Sequence, residues 1–193
     1  VAADTAEQLP VPFVEVVSHS VKAAVAATKN KKIGVLATST TISSGAHKNQ
    51  ILKLLPDAKV TESSGTLLVS LVEEGWTGSN DSVVLETLRR YLKPMIDARV
   101  DTIILGCTHF PVLLDAISKV LGTGVTLINM GVSTASAVFE TLKKSNSLND
   151  GKTVPSHKFY VSDKTSAFAK TASILLGEYE KNFVIEGADI EKL

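Results

Sequence analysis

The chain has 193 residues, with 20 Lys and Arg against 20 Asp and Glu, 44% hydrophobic residues and only 5% aromatics. That balance excludes the broad basic field of a nucleic-acid or anionic-membrane binder and a composition too polar to fold, and it suits an α/β protein with a substantial core. A single cysteine, Cys107, rules out an internal disulfide and suits a reducing compartment, so a cytoplasmic protein acting on a small molecule is expected.

The first apolar run, Val11 to Val17, predicts a short buried strand, and the Ala-rich stretch from Ser18 to Asn30 predicts the helix behind it. KIGVLAT (Lys32 to Thr38) reads as a strand ending in a Ser/Thr cluster, followed by a helix over SSGAHKNQILKLL that Thr41 could cap. AKVTE is a third, weaker strand and TLLVSLVEEGW a short helix. A longer helix, Asn80 to about Ala98, carries Val83, Val84, Leu88, Leu92 and Met95 at helical spacing.

VDTIILGC is apolar on both faces, as in a parallel sheet covered by helices. FPVLLDAISKVLG is its helix, with Pro111 in the first turn and Gly122 as the stop. GVTLIN predicts a further strand and STASAVFETLKKSNS its helix. The tail changes character near Asn149 to Pro155, then offers the strand KFYVS, a helix over TSAFAKTASILLG and a last short strand NFVIE. Alternating strands and helices define a doubly wound parallel sheet. No apolar run approaches the roughly 20 residues that span a bilayer, so no membrane partner is expected.

Two strand-to-helix turns share a design. VLATSTTI and IILGCTHF each deliver small and hydroxyl-bearing residues to the carboxyl end of a buried strand, where open α/β sheets bind ligands and helix N-termini attract anions. In the second turn Gly106 permits close approach, and Thr108 or His109 can cap the helix. Cys107 sits where a helix N-terminus and a nearby imidazole would lower its pKa. Chemistry alone leaves Cys107 open as a catalytic thiol or a core residue. Glu73 and Glu74 read as a solvated helix end, Trp76 as a packing residue, and the Lys29 to Lys32 run as a solvated turn. His19, His47 and His157 read as surface or hydrogen-bonded residues, without metal-ligand spacing.

ILGCTHFPVLL closely resembles the GCTH-aromatic-Pro signature of glutamate racemases, within the aspartate/glutamate racemase superfamily. Further stretches share the likeness: VKAAVAATKNKKIGVLATSTTISSGAH, LVEEGW, GVTLINMGVSTA and HKFYVSDKTSAFAKTASILLG, so that it covers nearly the whole chain. The resemblance implies cofactor-independent racemisation of L- and D-glutamate, supplying D-glutamate for peptidoglycan. Two thiols, one per face of the substrate, would exchange its poorly acidic α-proton. It assigns Cys107 and His109 to catalysis, and Thr108, Thr41 and Glu73 to the substrate site, with no metal. It also implies a two-lobe architecture, with a complete central lobe over 18–128 and the other lobe formed by 1–17 and 129–193.

The likeness has gaps. The family's Asp-Ser-Gly loop and Cys-Asn-Thr motif have no counterpart, so the first lobe is expected to be incomplete and the isolated chain to self-associate through exposed apolar surface. Asn129 and Met130 replace an Asp-Ser pair, and ESSGTLLVSLVE replaces the usual approach to the glutamate. Relatives are often homodimers, which leaves that assembly open here. A non-catalytic amino-acid-binding module and a racemase for aspartate or hydantoins are the alternatives.

Overall fold

The computed structural model describes residues 9–152, 157–163, 168, 172–174 and 183–189. The chain enters through an irregular segment into helix α1 (Val16–Ala27), then strand β1 (Lys32–Ala37), the short helix α2 (Ser39–Ser43) and helix α3 (Ala46–Leu54). Strand β2 (Lys59–Ser64), helix α4 (Thr66–Glu73) and the long helix α5 (Ser82–Ala98) follow. Strand β3 (Thr102–Gly106) leads through a 3-10 turn (Phe110–Leu113) into helix α6 (Leu114–Leu121), and strand β4 (Thr126–Asn129) leads into helix α7 (Met130–Lys144). Strands β5 (His157–Val161) and β6 (Phe183–Gly187) form a separate parallel pair.

The main sheet is parallel throughout, in the order β2-β1-β3-β4. Both faces are covered, which is why β3 is buried at every position. Leu36, Ile103 and Leu105 enter a core with Leu68, Leu88 and Phe110 on one side. Ile33, Val35, Ala37 and Ile104 enter a second core with Val21, Ala24 and Ile51 on the other. The doubly wound reading holds.

Strand order reverses between β1 and β3: β2 adds on one side of this pair and β4 on the other. The crevice at their carboxyl ends is therefore the topological switch point, the place where such sheets bind ligands. Ala37 and Gly106, in register, close the pair just before Thr38 and Cys107. A Cβ on Gly106 would lie 2.8 Å from the Ala37 Cβ and 3.3 Å from the Leu36 carbonyl oxygen, so only glycine permits this approach.

At the opposite edge, Asp101 ties the turn before β1 to the start of β3. Its carboxylate accepts from the Thr28 hydroxyl at 2.6 Å, from the Lys29 and Asn30 N–H groups at 2.7 Å each, and from the Thr102 hydroxyl at 3.0 Å. Burial raises the pKa of this carboxyl, but these donors together outweigh it and hold the value below the ordinary range. The Lys29 to Lys32 turn is thus anchored by a carboxylate as well as solvated.

Several expectations need correction. Val11 to Val17 is not a strand: residues 11–15 are irregular, and Val16 and Val17 open α1. Glu15 decides this, because its carboxylate accepts from the Val17 and Ser18 N–H groups at 2.6 and 2.8 Å and caps the helix. The helix expected over residues 43–55 begins only at Ala46, after Gly45, whose φ of 64° takes the left-handed region, and a separate short helix over Ser39–Ser43 precedes it. Thr41 does not cap α2; Thr38 does, accepting from the Thr41 N–H at 3.4 Å. Trp76 is half exposed rather than packed. His47 is neither at the surface nor hydrogen-bonded: it is buried, and both ring nitrogens are without a partner. The helix expected over 165–177 lies mostly outside the described residues.

Candidate active site

Cys107 leaves β3 at the switch point and stands half-buried. The residues after it explain its position. Phe110 and Leu113 are fully buried in the core, and Pro111 sets the backbone between them, so the 3-10 turn is anchored from beneath. The Phe110 N–H donates to the Cys107 carbonyl at 3.2 Å and closes the loop tightly.

His109 reaches back across this loop. Its Nδ1 lies 3.7 Å from the Cys107 Sγ, and its Nε2 lies 3.3 Å from Oε1 of Glu73 at the end of α4. The helix α4 approaches because Gly65 carries no side chain: a Cβ there would lie 3.0 Å from the Leu68 Cδ1 and 3.1 Å from the Leu36 Cδ1. The result is a thiol, an imidazole and a carboxylate in sequence. A carboxylate beside the far nitrogen orients the ring toward the thiol.

The Cys107 pKa is not lowered, as the sequence suggests, but raised. Burial is the largest cause; the backbone N–H groups of His109 and Phe110 pull the other way, the Glu73 charge raises it further, and the Thr108 N–H lowers it. The helical turn after Cys107 has only four residues of 3-10 geometry and supplies a weak dipole, so desolvation wins.

Thr108 is exposed beside Cys107, and both line a cavity of about 160 Å³ that Asn129 and Gly131 close from the β4–α7 turn. Thr41 stands at the neighbouring strand end, its hydroxyl 3.0 Å from that of Thr38. Of the five residues singled out in the sequence, Cys107, His109 and Glu73 form one connected chain and Thr108 shares the cavity with Cys107. Thr41 belongs to a separate hydroxyl pair, without a hydrogen bond to that chain. Glu73 is the exposed helix end that the sequence suggests, and its carboxylate also lies within 3.3 Å of the His109 ring. Asn129 and His47 are polar residues near the site that were not among the five; burial of His47 arises from tertiary packing and leaves no local sequence signal, whereas Asn129, between a strand and a helix, carried the signal of an N-cap.

An adjacent apolar groove of about 530 Å³ runs along α7, lined by Val138, Phe139 and Leu142 together with Val16 and Leu148. No group of three or more His, Cys, Asp or Glu able to hold a metal ion occurs among the described residues, and no described helix is long and apolar enough to cross a membrane.

A parallel sheet with a thiol and imidazole at its switch point defines an α/β protein equipped for proton transfer at a small molecule. The family model for Asp/Glu/hydantoin racemases matches residues 1–138, and the chain belongs to this family. Glutamate racemase of Neisseria meningitidis is 39% identical over 166 residues, covering 86% of this chain and 60% of that protein. The chain spans about 60% of the length of this curated relative. The crystal structure of glutamate racemase isoform RacE1 from Bacillus anthracis superimposes with a TM-score of 0.87 at 30% identity, covering 97% of this chain and 68% of that one. The Francisella tularensis glutamate racemase in complex with D-glutamate also gives 0.87, at 27% identity, over 100% of this chain and 70% of its own.

Proposed function

We propose that this chain carries one half of a glutamate racemase site, with Cys107 as the acid/base on one face of the substrate. The observation that carries the reading is the Cys107–His109–Glu73 chain at the switch point, with its distances of 3.7 and 3.3 Å. In the forward step the Cys107 thiolate takes the α-proton: the C–H bond breaks, an S–H bond forms, and the electron pair left on the α-carbon spreads into the carboxylate. His109 takes the thiol proton beforehand and passes it to solvent once the α-proton has reached the sulfur, and Glu73 holds the imidazolium in between. No cofactor is needed for these transfers. Thr108 and Thr41 would hold the substrate's charged groups.

Inversion needs a second acid on the opposite face. The sequence has one cysteine, so within these residues that group is not a thiol. We assign residues 18–128 to a central lobe carrying the CTH motif and the flanking parts, 1–17 and 129–193, to the other. The family relationship and the lone thiol support a cytoplasmic role supplying D-glutamate for peptidoglycan; the balanced charge argues against a nucleic-acid partner. A homodimer is the assembly to test first.

A substrate panel followed by proton NMR in D₂O tests the reading. Loss of the α-proton signal from glutamate ahead of aspartate and hydantoins supports it, whereas preference for either of the others reassigns the substrate within the family. A binding module is the second reading, favoured by the half-burial of Cys107, which opposes formation of its thiolate. Glutamate binding with no exchange from any substrate would establish that alternative.

A further inference from the structure

The cavity beside Cys107 has a mostly apolar and backbone lining, in which Leu105, Pro111, Met130 and Gly131 take part. Apart from the Cys107 thiol and the Thr108 hydroxyl, the Asn129 amide is its only polar side chain among the described residues. Asn129 arrives at the end of β4, in register with Leu105, which lies two residues before Cys107 on the neighbouring strand.

The orientation of this amide follows from its bonds. Its Oδ1 accepts from the Gly131 N–H at 2.9 Å and from the Val132 N–H at 3.4 Å, capping α7. Only the oxygen can accept, so the NH₂ group is directed away from those donors, and it has no protein partner among the described residues. The cap consumes N–H groups of α7 that could otherwise bind an anion, and returns a donor in their place.

We propose that the Asn129 NH₂ group donates to the substrate carboxylate while the adjacent α-carbon faces Cys107. This rests on the acid/base reading of Cys107 and extends it. As the α-proton leaves, negative charge develops on that carboxylate, and a donor already fixed by the α7 cap stabilises it without reorganisation. The neutral amide combines two roles: its oxygen accepts from the helix and its nitrogen donates to the ligand. A carboxylate would cap equally well but offers no donor, and an ammonium group could not cap.

Iodoacetate is the direct probe, because its carboxylate sits on the very carbon that the thiolate attacks. A C–S bond forms and iodide departs. Iodoacetamide, uncharged, reports the thiolate fraction alone, and the single cysteine makes both rates specific to Cys107. Asn129→Ser keeps an equivalent cap and removes the amide, while Asn129→Asp keeps the cap and replaces the NH₂ with an anionic oxygen. The iodoacetate-to-iodoacetamide rate ratio is expected to fall about fivefold in Asn129→Ser, the loss of one hydrogen bond, and further in Asn129→Asp. A ratio unchanged in Asn129→Ser overturns the proposal, even if Asn129→Asp lowers it, since the charge alone would then explain the effect. Should the Ser variant melt early, Asn129→Thr supplies the same comparison. Absence of Cys107-dependent α-proton exchange in the wild type would defeat the racemase reading, yet leave the alkylation ratio to decide the role of Asn129.

Discussion

His109 links two groups that sequence separates by 34 positions: its Nδ1 lies 3.7 Å from the Cys107 sulfur and its Nε2 lies 3.3 Å from the Glu73 carboxylate. Burial holds the Cys107 pKa up and the Glu73 charge adds to it; in the proposed exchange Glu73 also steadies the ring that takes the thiol proton.

Glu73→Gln separates these effects. The Cys107 pKa, read from the pH profile of iodoacetamide alkylation, is expected to fall because a repelling charge has gone. The α-proton exchange rate is expected to fall a few-fold, since a contact to a half-exposed carboxylate contributes at most about 1 kcal/mol. A pKa that rises or stays fixed would show that Glu73 does not act on Cys107 electrostatically.

His109→Asn removes the imidazole and keeps a polar side chain. Exchange is expected to drop by about 10²- to 10⁴-fold, the usual range for a general acid/base. Circular dichroism melts should be little changed, since His109 makes no capping bond in its turn.

His47 predicts a specific pH dependence of stability. Burial lowers its pKa from the ordinary value of 6.5, with the Glu15 charge opposing the shift. As pH falls, the unfolded chain therefore takes up the proton before the folded one does. Stability from this group is fully present above the unfolded pKa and is lost progressively below it. Melts from pH 7.5 to 5 should show a falling Tm in the wild type and a flatter profile in His47→Leu. Equal slopes would mean that His47 does not titrate with unfolding.

Gly106→Ala tests the close approach of β1 and β3. A methyl group must displace the Ala37 Cβ or the Leu36 carbonyl, neither of which is the end of a flexible side chain. Destabilisation of about 1–3 kcal/mol is expected from overpacking, measured by urea unfolding, with altered Cys107 alkylation because the next residue moves.

Asp101→Ala removes the acceptor of two hydroxyls and two backbone N–H groups. Loss of about 1–2 kcal/mol is expected, since the part-buried Thr28 and Thr102 hydroxyls lose their acceptor while the exposed Lys29 and Asn30 N–H groups turn to water. Alkylation of Cys107, at the far end of β3, should be unaffected in the folded fraction.

The sheet was legible because each strand announces itself: the continuous apolar run of Thr102 to Gly106 is fully buried, as a strand covered on both faces must be. The run from Val11 to Val17 misled for the opposite reason. A short apolar stretch does not distinguish strand from helix by period, and the Glu15 cap decided the outcome. His109 was legible beside Cys107 because two residues of a turn must stay close. Glu73 was named only through the family resemblance, since its approach depends on how α4 packs against the sheet at Leu36. The direction of the Cys107 pKa shift was misjudged because burial, a tertiary quantity, outweighed the local turn.

The most direct test of the central claim is the exchange of the glutamate α-proton in D₂O, followed by proton NMR for each enantiomer separately, with Cys107→Ser beside the wild type. A single thiol on one face predicts loss of the α-proton from one enantiomer far faster than from the other, abolished by Cys107→Ser. Exchange that persists in Cys107→Ser, or no exchange from either enantiomer in folded protein, would contradict the account.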